Sequence, residues 1–394
     1  MKIIWITIES ILPANSGGRI GIFKRLEQIS KQNEIYLFYT MDSIDERMYQ
    51  SELLNYCTEV HGYLRIKKSI STVFNLLKAP FTVASRFNHE MVDDINKCLI
   101  ENRIDLINVD SPHMGLNLFK INYEGIPIIL NQHNIEWKVY KNIANSNKSL
   151  IRKALYSIDS IRFKRFEKRL YNNIPIDTMT FVSTEDMEYV NKTFPYIKTE
   201  LIPVGGISKK FLYNWNSNNN SILFVGKMSY APNSEAAKWF IKSIFPTIKK
   251  KVSNAKFYVV GKDPDDELKS LSSDDIIITG MVDSVDVYYE TAGLVVIPLK
   301  HGGGVKVKLL EAIGNKMPVI STSIGVQGTT FNANNMIVAD SAGEFANKCI
   351  AFLENRNDYE SMYKKVFSIF EKRYTWEAIG EKYNKVLSNV KEQK

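Results

Sequence analysis

The sequence predicts an α/β protein made of two doubly wound, Rossmann-like domains. Three observations support that reading. The chain is 394 residues long, more than one hydrophobic core usually supports, so two domains of about 200 residues each are expected. Short runs rich in Val and Ile recur along it, each closed by glycine or polar residues and followed by a stretch of helical spacing, the alternation expected of a parallel sheet with crossover helices. Residues 213–220, YNWNSNNN, are polar, low in complexity and free of apolar periodicity, and a fresh β/α series starts at Ser221. They read as an interdomain linker. The expected division is a first domain over 1–205, a linker over 206–220, a second domain over 221–374 and a terminal helix over 375–394.

In the first domain, residues 2–8 are the first expected strand. The apolar stretch of MKIIWITIES is too short for a signal peptide and is soon interrupted by Glu9. Ser16, Gly17 and Gly18 form a glycine loop ahead of a helix expected over 19–31, and residues 34–39 are a second strand. The region up to Lys97 alternates helical and loop character. Residues 104–109 form a strand ending at Asp110, Ser111, Pro112 and His113, and residues 126–132 another, ending at His133, Asn134, Ile135 and Glu136. Polar residues at the carboxyl edge of parallel strands are where open α/β sheets hold ligands. A strand over 178–183, a helix over 185–193 and a strand over 201–204 complete the domain.

In the second domain, residues 222–225 are a strand ending in Gly226, Lys227 and Met228, with Pro232 and Asn233 ahead of a helix from Ser234. Residues 256–260 and 276–279 are strands that end at Gly261 and at Gly280, Met281 and Val282. The stretch GLVVIPLKHGGGVKVKLLEAIGNKMPVIST, residues 293–322, reads as strand, glycine loop, helix and strand. Gly302, Gly303 and Gly304 permit positive φ and close approach of a ligand, and a helix is expected from Val305. Lys306 and Lys308 then fall in or near its first turn, where free N–H groups and the macrodipole favour anions and disfavour cations. Two lysines at that end point to a bound anion, and a glycine loop feeding a helix N-terminus suits phosphate. Glu311, three residues past Lys308, shares its side of the helix. The alternative is a solvated Lys308–Glu311 pair beside a loop that only turns.

GGGVKVKLLEAIGNKMPVIST resembles the donor-site segment of GT-B glycosyltransferases of family 4, as do ILFVGKMSYAPNSEAAKWFIKSIFPTIKKKVSNAKFYVVGKDP (222–264) and GMVDSVDVYYETAGLVVIPL (280–299). Together they cover most of the C-terminal half in the expected order. The first half matches more loosely. The resemblance implies the GT-B fold, two Rossmann-like domains facing across a cleft, with the terminal helix crossing back to brace the first. It also implies roles. Gly17 and Gly18 approach the donor diphosphate or the acceptor, and His133 of HNIE contacts the transferred sugar or its acceptor. Lys227 and Lys308 stabilise the diphosphate, with Gly302, Gly303, Gly304, Val305 and Lys306 around the diphosphate and sugar. Glu311 holds the donor's ribose, and Gly261, Met281 and Val282 lie on the nucleobase side. Two departures stand out: Pro232-Asn233 replaces the family's usual Lys-Gly, and Gly303 replaces the first of its paired glutamates.

The implied activity is transfer of a sugar, with retained anomeric configuration, from a nucleotide-diphosphate sugar, a UDP-sugar favoured. The implied acceptor is a glycan or lipid-linked glycan of bacterial-type surface polysaccharide. No cofactor or metal is expected, because lysines and backbone N–H groups carry the developing charge. Two rivals share the fold, a sugar-nucleotide epimerase and a catalytically silent nucleotide-sugar-binding scaffold. Cys57, Cys98 and Cys349 form no CxxC or Cys/His cluster, which argues against structural zinc and for a reducing compartment. No run reaches the roughly 18 apolar residues of a membrane span, so a cytoplasmic protein is expected. The formal net charge of +8 is concentrated between Lys138 and Tyr171, where ten basic residues face only Asp159 and Glu167. With Leu155, Ile158, Ile161, Phe166 and Leu170 at helical spacing, this reads as one basic amphipathic helix that either rests on an anionic membrane surface or packs on its own domain. No nucleic-acid-binding signature accompanies the charge.

Overall fold

The computed structural model describes residues 1–14, 16–65, 75–76, 78–147 and 149–392. The chain divides into two compact units, one of Met1–Pro203 with Ile379–Lys394 and one of Val204–Ala378. Each has its own hydrophobic core.

The first unit holds a seven-stranded parallel sheet of β1 (Lys2–Thr7), β2 (Glu34–Met41), β3 (Glu59–Leu64), β4 (Leu106–Asp110), β5 (Ile128–Gln132), β6 (Ile176–Phe181) and β7 (Lys198–Leu201). Their order is β3-β2-β1-β4-β5-β6-β7, the doubly wound order that reverses direction between β1 and β4. Ile3, Ile4, Trp5 and Ile6 are at most 1% exposed, which explains an unbroken apolar strand: β1 is covered on both faces. Its longer helices are α1 (Gly17–Ile29), α2 (His89–Glu101), α3 (Glu136–Ser146), α4 (Leu150–Asn173) and α5 (Thr184–Thr193). The second unit repeats the plan with β8 (Ser221–Val225), β9 (Lys256–Val260), β10 (Ile276–Gly280), β11 (Leu294–Ile297), β12 (Val319–Ser321) and β13 (Ile337–Val338). The order β10-β9-β8-β11-β12-β13 reverses between β8 and β11. Helices α6 (Ala231–Trp239), α7 (Val307–Gly314), α8 (Ala342–Glu354) and α9 (Glu360–Arg373) belong to it, and α10 (Trp376–Glu392) follows.

Several expectations change. Residues 206–220 are not a free linker but part of the second unit. Lys209 N–H donates to Gly314 O at 2.8 Å, and the Gly314 position is so close to Ile207 O that a Cβ there would lie 2.3 Å from it. Trp215 stacks on Tyr363 at 6.2 Å, and Arg356 donates to Ser217 O and Asn219 O, both at 2.5 Å. Two aromatics and one arginine suffice to fix a stretch whose composition alone reads as loose. The strand expected over 201–204 lies earlier, at Lys198–Leu201. β3 and α2 fall where only mixed character was legible.

From Ile379 the terminal helix belongs to the first unit. The Tyr383 hydroxyl lies 2.7 Å from both Asn108 Oδ1 and Asn131 Oδ1. Lys391 pairs with Asp105 at 2.9 Å, and Gly380 packs so tightly on Gln28 that a Cβ would come within 2.4 Å.

The single basic helix expected over 138–171 is two helices, α3 ending at Ser146 and α4 starting at Leu150. Its apolar residues also divide. Phe163, Phe166 and Leu170 are buried, whereas Leu150, Ile151, Leu155, Ile158 and Ile161 are 53–82% exposed. The C-terminal half of α4 therefore packs on its own unit and the N-terminal half shows an apolar ridge to solvent. No helix among the described residues is long and apolar enough to cross a membrane.

Candidate active site

In the second unit the expected helix from Val305 starts two residues later, at Val307, with Lys306 in extended conformation at its N-cap. The difference changes what the two lysines do. Gly302 and Gly304 take φ of 127° and 67°, conformations that side chains resist, and the loop they shape turns its carbonyls inward. Lys306, buried, donates to the carbonyl oxygens of Gly302, Gly303 and Gly304 at 3.1, 3.1 and 2.6 Å. It clamps the loop from within, holding the backbone on which the expected diphosphate contacts lie. With the carbonyls held, the N–H groups of Gly302, Gly303, Gly304, Val305, Val307 and Lys308 donate to no other group among the described residues. A Cβ added at Gly303 or Gly304 would meet nothing within 4 Å. Open space therefore borders a row of unpaired donors, the arrangement that accepts a phosphate.

Lys308 reaches from the first turn of α7 to the carboxyl end of β8. Its Nζ donates to Asn233 Oδ1 at 2.5 Å and sits 4.4 Å from the Phe224 ring centroid. Asn233, buried, donates in turn from Nδ2 to Lys227 O at 2.8 Å. A Cβ on Gly226 would come within 2.7 Å of Lys308 Nζ and 2.8 Å of Asn233 Nδ2, and one on Gly261 within 1.8 Å of Gly226 O. These glycines make the room in which the ammonium sits. Burial pushes the Lys308 pKa down to about 7, with Lys306 adding to the shift and Glu311 opposing it. Burial, with Asp286 nearby, raises the Glu311 carboxyl, against the pull of Lys308 and Lys209. A lysine that loses its charge near neutrality for want of a counterion is poised to regain it when an anion arrives.

The other expected residues of this unit are less tightly gathered. The Lys227 side chain is exposed, and only its carbonyl joins the Asn233 network. Gly302 lies against Pro232 and Tyr230, so the loop after β8 and the glycine loop are neighbours. Gly261 N–H donates to Gly280 O at 3.1 Å, which brings the ends of β9 and β10 together. Met281, just beyond, is 80% exposed, and Val282 is half-buried. Gly226 and Asn233 are participants that motif reading passes over. Asn233 stands out in sequence only as a departure from the family pattern, and the structure gives it a job: it holds Lys308.

In the first unit, Gly17 and Gly18 are the first turn of α1 rather than a loop ahead of it, with Ser16 as N-cap accepting from Arg19 N–H at 3.4 Å. Both are exposed, and a Cβ at either would meet nothing within 4 Å. His133 lies just past β5 with its Nε2 3.8 Å from Asp110 Oδ1, too long for a hydrogen bond, and that nitrogen has no hydrogen-bond partner among the described residues. Asp110, fully buried at the end of β4, accepts from Arg25 Nη2 at 3.0 Å and Trp5 Nε1 at 2.5 Å. Burial alone would raise its carboxyl, but Arg25, His133 and Trp5 outweigh that and hold it below the usual carboxylate range. The Arg25–Asp110 pair that sets His133 in place spans 85 residues of sequence, so only the fold reveals it. His113 is buried against Phe163, bonded to Ser111 Oγ at 2.7 Å, and kept neutral by burial, Arg86 and Arg65, its pKa lowered to about 3.

Residues 219–355 match the family model described as "Glycosyl transferases group 1". An uncharacterized 44.6 kDa protein in the cps region of Klebsiella pneumoniae is 26% identical over 387 residues, covering 95% of this chain and 96% of that protein. Among solved structures, Anabaena Alr3699/HepE in complex with UDP-glucose aligns with a TM-score of 0.63 at 12% identity, over 99% of this chain and 100% of that one. WaaG, a glycosyltransferase involved in lipopolysaccharide biosynthesis, aligns at 0.60 and 13% identity over 98% and 99%. A glycosyltransferase from Rickettsia africae aligns at 0.62 and 13% over 98% of each chain. The two units have the GT-B fold, and the match to the group 1 glycosyl transferase model lies within the second.

Proposed function

We propose that this GT-B chain is a retaining glycosyltransferase that moves a sugar from a nucleotide-diphosphate sugar to a glycan or lipid-linked acceptor of surface polysaccharide. The observation that carries the reading is the row of amides of Gly302, Gly303, Gly304, Val305, Val307 and Lys308 that donate to no group among the described residues, with the Lys308 ammonium beside it. Breaking the anomeric C–O bond leaves positive character on the sugar and negative charge on the departing diphosphate. The amides and Lys308 are already aimed at that charge, so they stabilise it without reorganising. The bonding pair leaves with the phosphate oxygen, the acceptor hydroxyl attacks from the same face, and its proton passes to the departing phosphate. No side-chain nucleophile is needed. Glu311, on the same side of α7 as Lys308, accepts the ribose hydroxyls.

Structures of HepE with UDP and UDP-glucose make uridine the first base to try, and the cps and lipopolysaccharide settings of the relatives make a surface glycan the first acceptor class. The exposed ridge of Leu150, Ile151, Leu155 and Ile158, interleaved with Arg152 and Lys153, supports docking of the first unit on an anionic membrane surface where a lipid-linked acceptor is presented. The test is a thermal-shift panel of UDP, GDP, ADP, CMP and their sugar conjugates, followed by turnover of the ligand that binds and NMR of the product's anomeric configuration. A raised melting temperature with one diphosphate series and a product of retained configuration are expected. A protein that binds none of them, or an inverted product, overturns the reading.

A further inference from the structure

Among the described residues, Arg86 is a guanidinium that no carboxylate meets in an ion pair. Its Nε donates to Ile8 O at 3.1 Å, one residue past β1, and its Nη1 to Thr82 O at 2.7 Å. These bonds pin it at the carboxyl edge of the first unit's sheet. Its Nη2 donates to no group among the described residues, and no carboxylate there forms an ion pair with it. The residues outside that set include neither Asp nor Glu. The nearest candidates are committed elsewhere, Glu9 to Arg19 at 2.7 Å and Asp42 to Arg65 at 3.5 Å. Glu136, whose carboxyl burial pushes up to about 7 against the pull of Arg86, offers only about half a negative charge at neutral pH. A second guanidinium crowds the first, because Arg65 Nε donates at 2.8 Å to Ser85, the residue preceding Arg86. Burial and Arg65 together lower the Arg86 pKa to about 10. Two neighbouring cations with one carboxylate between them are an unfavourable resting state unless an anion completes them. The planar fork of a guanidinium matches two phosphate oxygens at once.

We propose that Arg86, backed by Arg65, binds a phosphate or diphosphate group of the acceptor at the carboxyl edge of the first unit. Assignment to the acceptor rests on the glycosyltransferase reading above, which gives the donor diphosphate to the second unit; the anion site itself does not. The source is either a lipid-linked diphosphate or a soluble phosphorylated glycan.

The test is calorimetric titration of the full-length chain with inorganic pyrophosphate in saturating UDP, so that the donor loop is already filled. Binding is expected, weakened at least tenfold in Arg86→Gln and in Arg65→Gln and retained in Lys308→Ala without UDP. A preserved UDP thermal shift in the arginine variants shows that they fold, and Arg65→Gln, which leaves the Ile8 and Thr82 bonds in place, serves if Arg86→Gln does not. Farnesyl diphosphate and glucose 1-phosphate separate the sources: tighter binding of the first supports the lipid-linked acceptor, and equal or tighter binding of the second the soluble one. Pyrophosphate that fails to bind beside UDP, or binds both arginine variants as well as the parent, overturns the proposal. If instead UDP itself does not bind the parent chain while pyrophosphate binds through Arg86, the glycosyltransferase reading falls and the anion site stands.

Discussion

The carboxyl edges of the two sheets share one topology and solve opposite electrostatic problems. In the second unit, Lys306 consumes the carbonyls of the glycine loop, so what remains is a row of donors with the Lys308 ammonium, whose one hydrogen-bond acceptor among the described residues is Asn233. In the first, charges are largely settled internally: Asp110 by Arg25 and Trp5, Glu9 by Arg19, Asp42 by Arg65. The same strand order thus borders a row of unpaired donors in one unit and, in the other, a network of ion pairs around His133 with Arg86 set apart from it. What a Rossmann-like edge does is decided by which polar groups the loops leave unpaired, not by the sheet.

The largest expected effect tests whether the glycines of the second edge are structural necessities. Gly261→Ala places a Cβ 1.8 Å from Gly226 O at a φ of 146°, and should cost on the order of 3 kcal/mol or more in a urea titration. A mild loss would mean that the strand ends are looser than described. Next, Lys308→Ala should lower kcat/KM by roughly 10²-fold with little change in stability, whereas Asn233→Leu, which removes the acceptor of Lys308 and the donor to Lys227 O, should weaken nucleotide binding by about tenfold. Equal effects of the two would break the distinction between ligand contact and positioning.

The third contrast is in pH. Lys308 has a folded pKa below its unfolded value, so its contribution to stability is present above about 10.5 and lost as pH falls through about 7. Glu136 and Glu167 are the reverse. Burial raises them, to about 7 and about 8, and their contribution is present below about 4.5 and lost as pH rises through those values. Urea titrations at a series of pH values should therefore show the first unit weakening between about pH 4.5 and 8 and the second strengthening from about pH 7 upward. In Glu167→Gln the first slope should flatten. The smallest effect concerns the α4 ridge: Ile151→Ser with Ile158→Ser should reduce flotation with anionic vesicles several-fold and leave turnover of a soluble acceptor unchanged, and undiminished flotation would remove the ridge from the account.

Much of this was legible in the sequence because parallel strands buried on both faces announce themselves as unbroken apolar runs, and because a glycine loop between such a strand and a helix has few other uses. Residues 256–260 match β9 at both ends. β3, EVHGYL, stayed hidden because four of its six residues are only partly buried and no apolar run results. The two-residue shift in the start of α7 mattered more, since it sets Lys306 at the N-cap, where it clamps the loop. Arg25–Asp110 and Lys308–Asn233, pairs separated by 85 and 75 residues, leave no local trace. Polar composition misread 206–220 because Tyr213, Trp215 and the distant Arg356 decide its fate.

The most direct test of the donor site is calorimetry of UDP binding at pH 8 in two buffers of different ionisation enthalpy. A free Lys308 pKa of about 7 leaves the amine mostly neutral there, and the arriving diphosphate should recharge it. Uptake of close to one proton per UDP bound is predicted, with both the uptake and most of the affinity gone in Lys308→Ala. Proton-neutral binding that survives that substitution at full strength would contradict the assignment of the diphosphate to the Gly302–Lys308 loop.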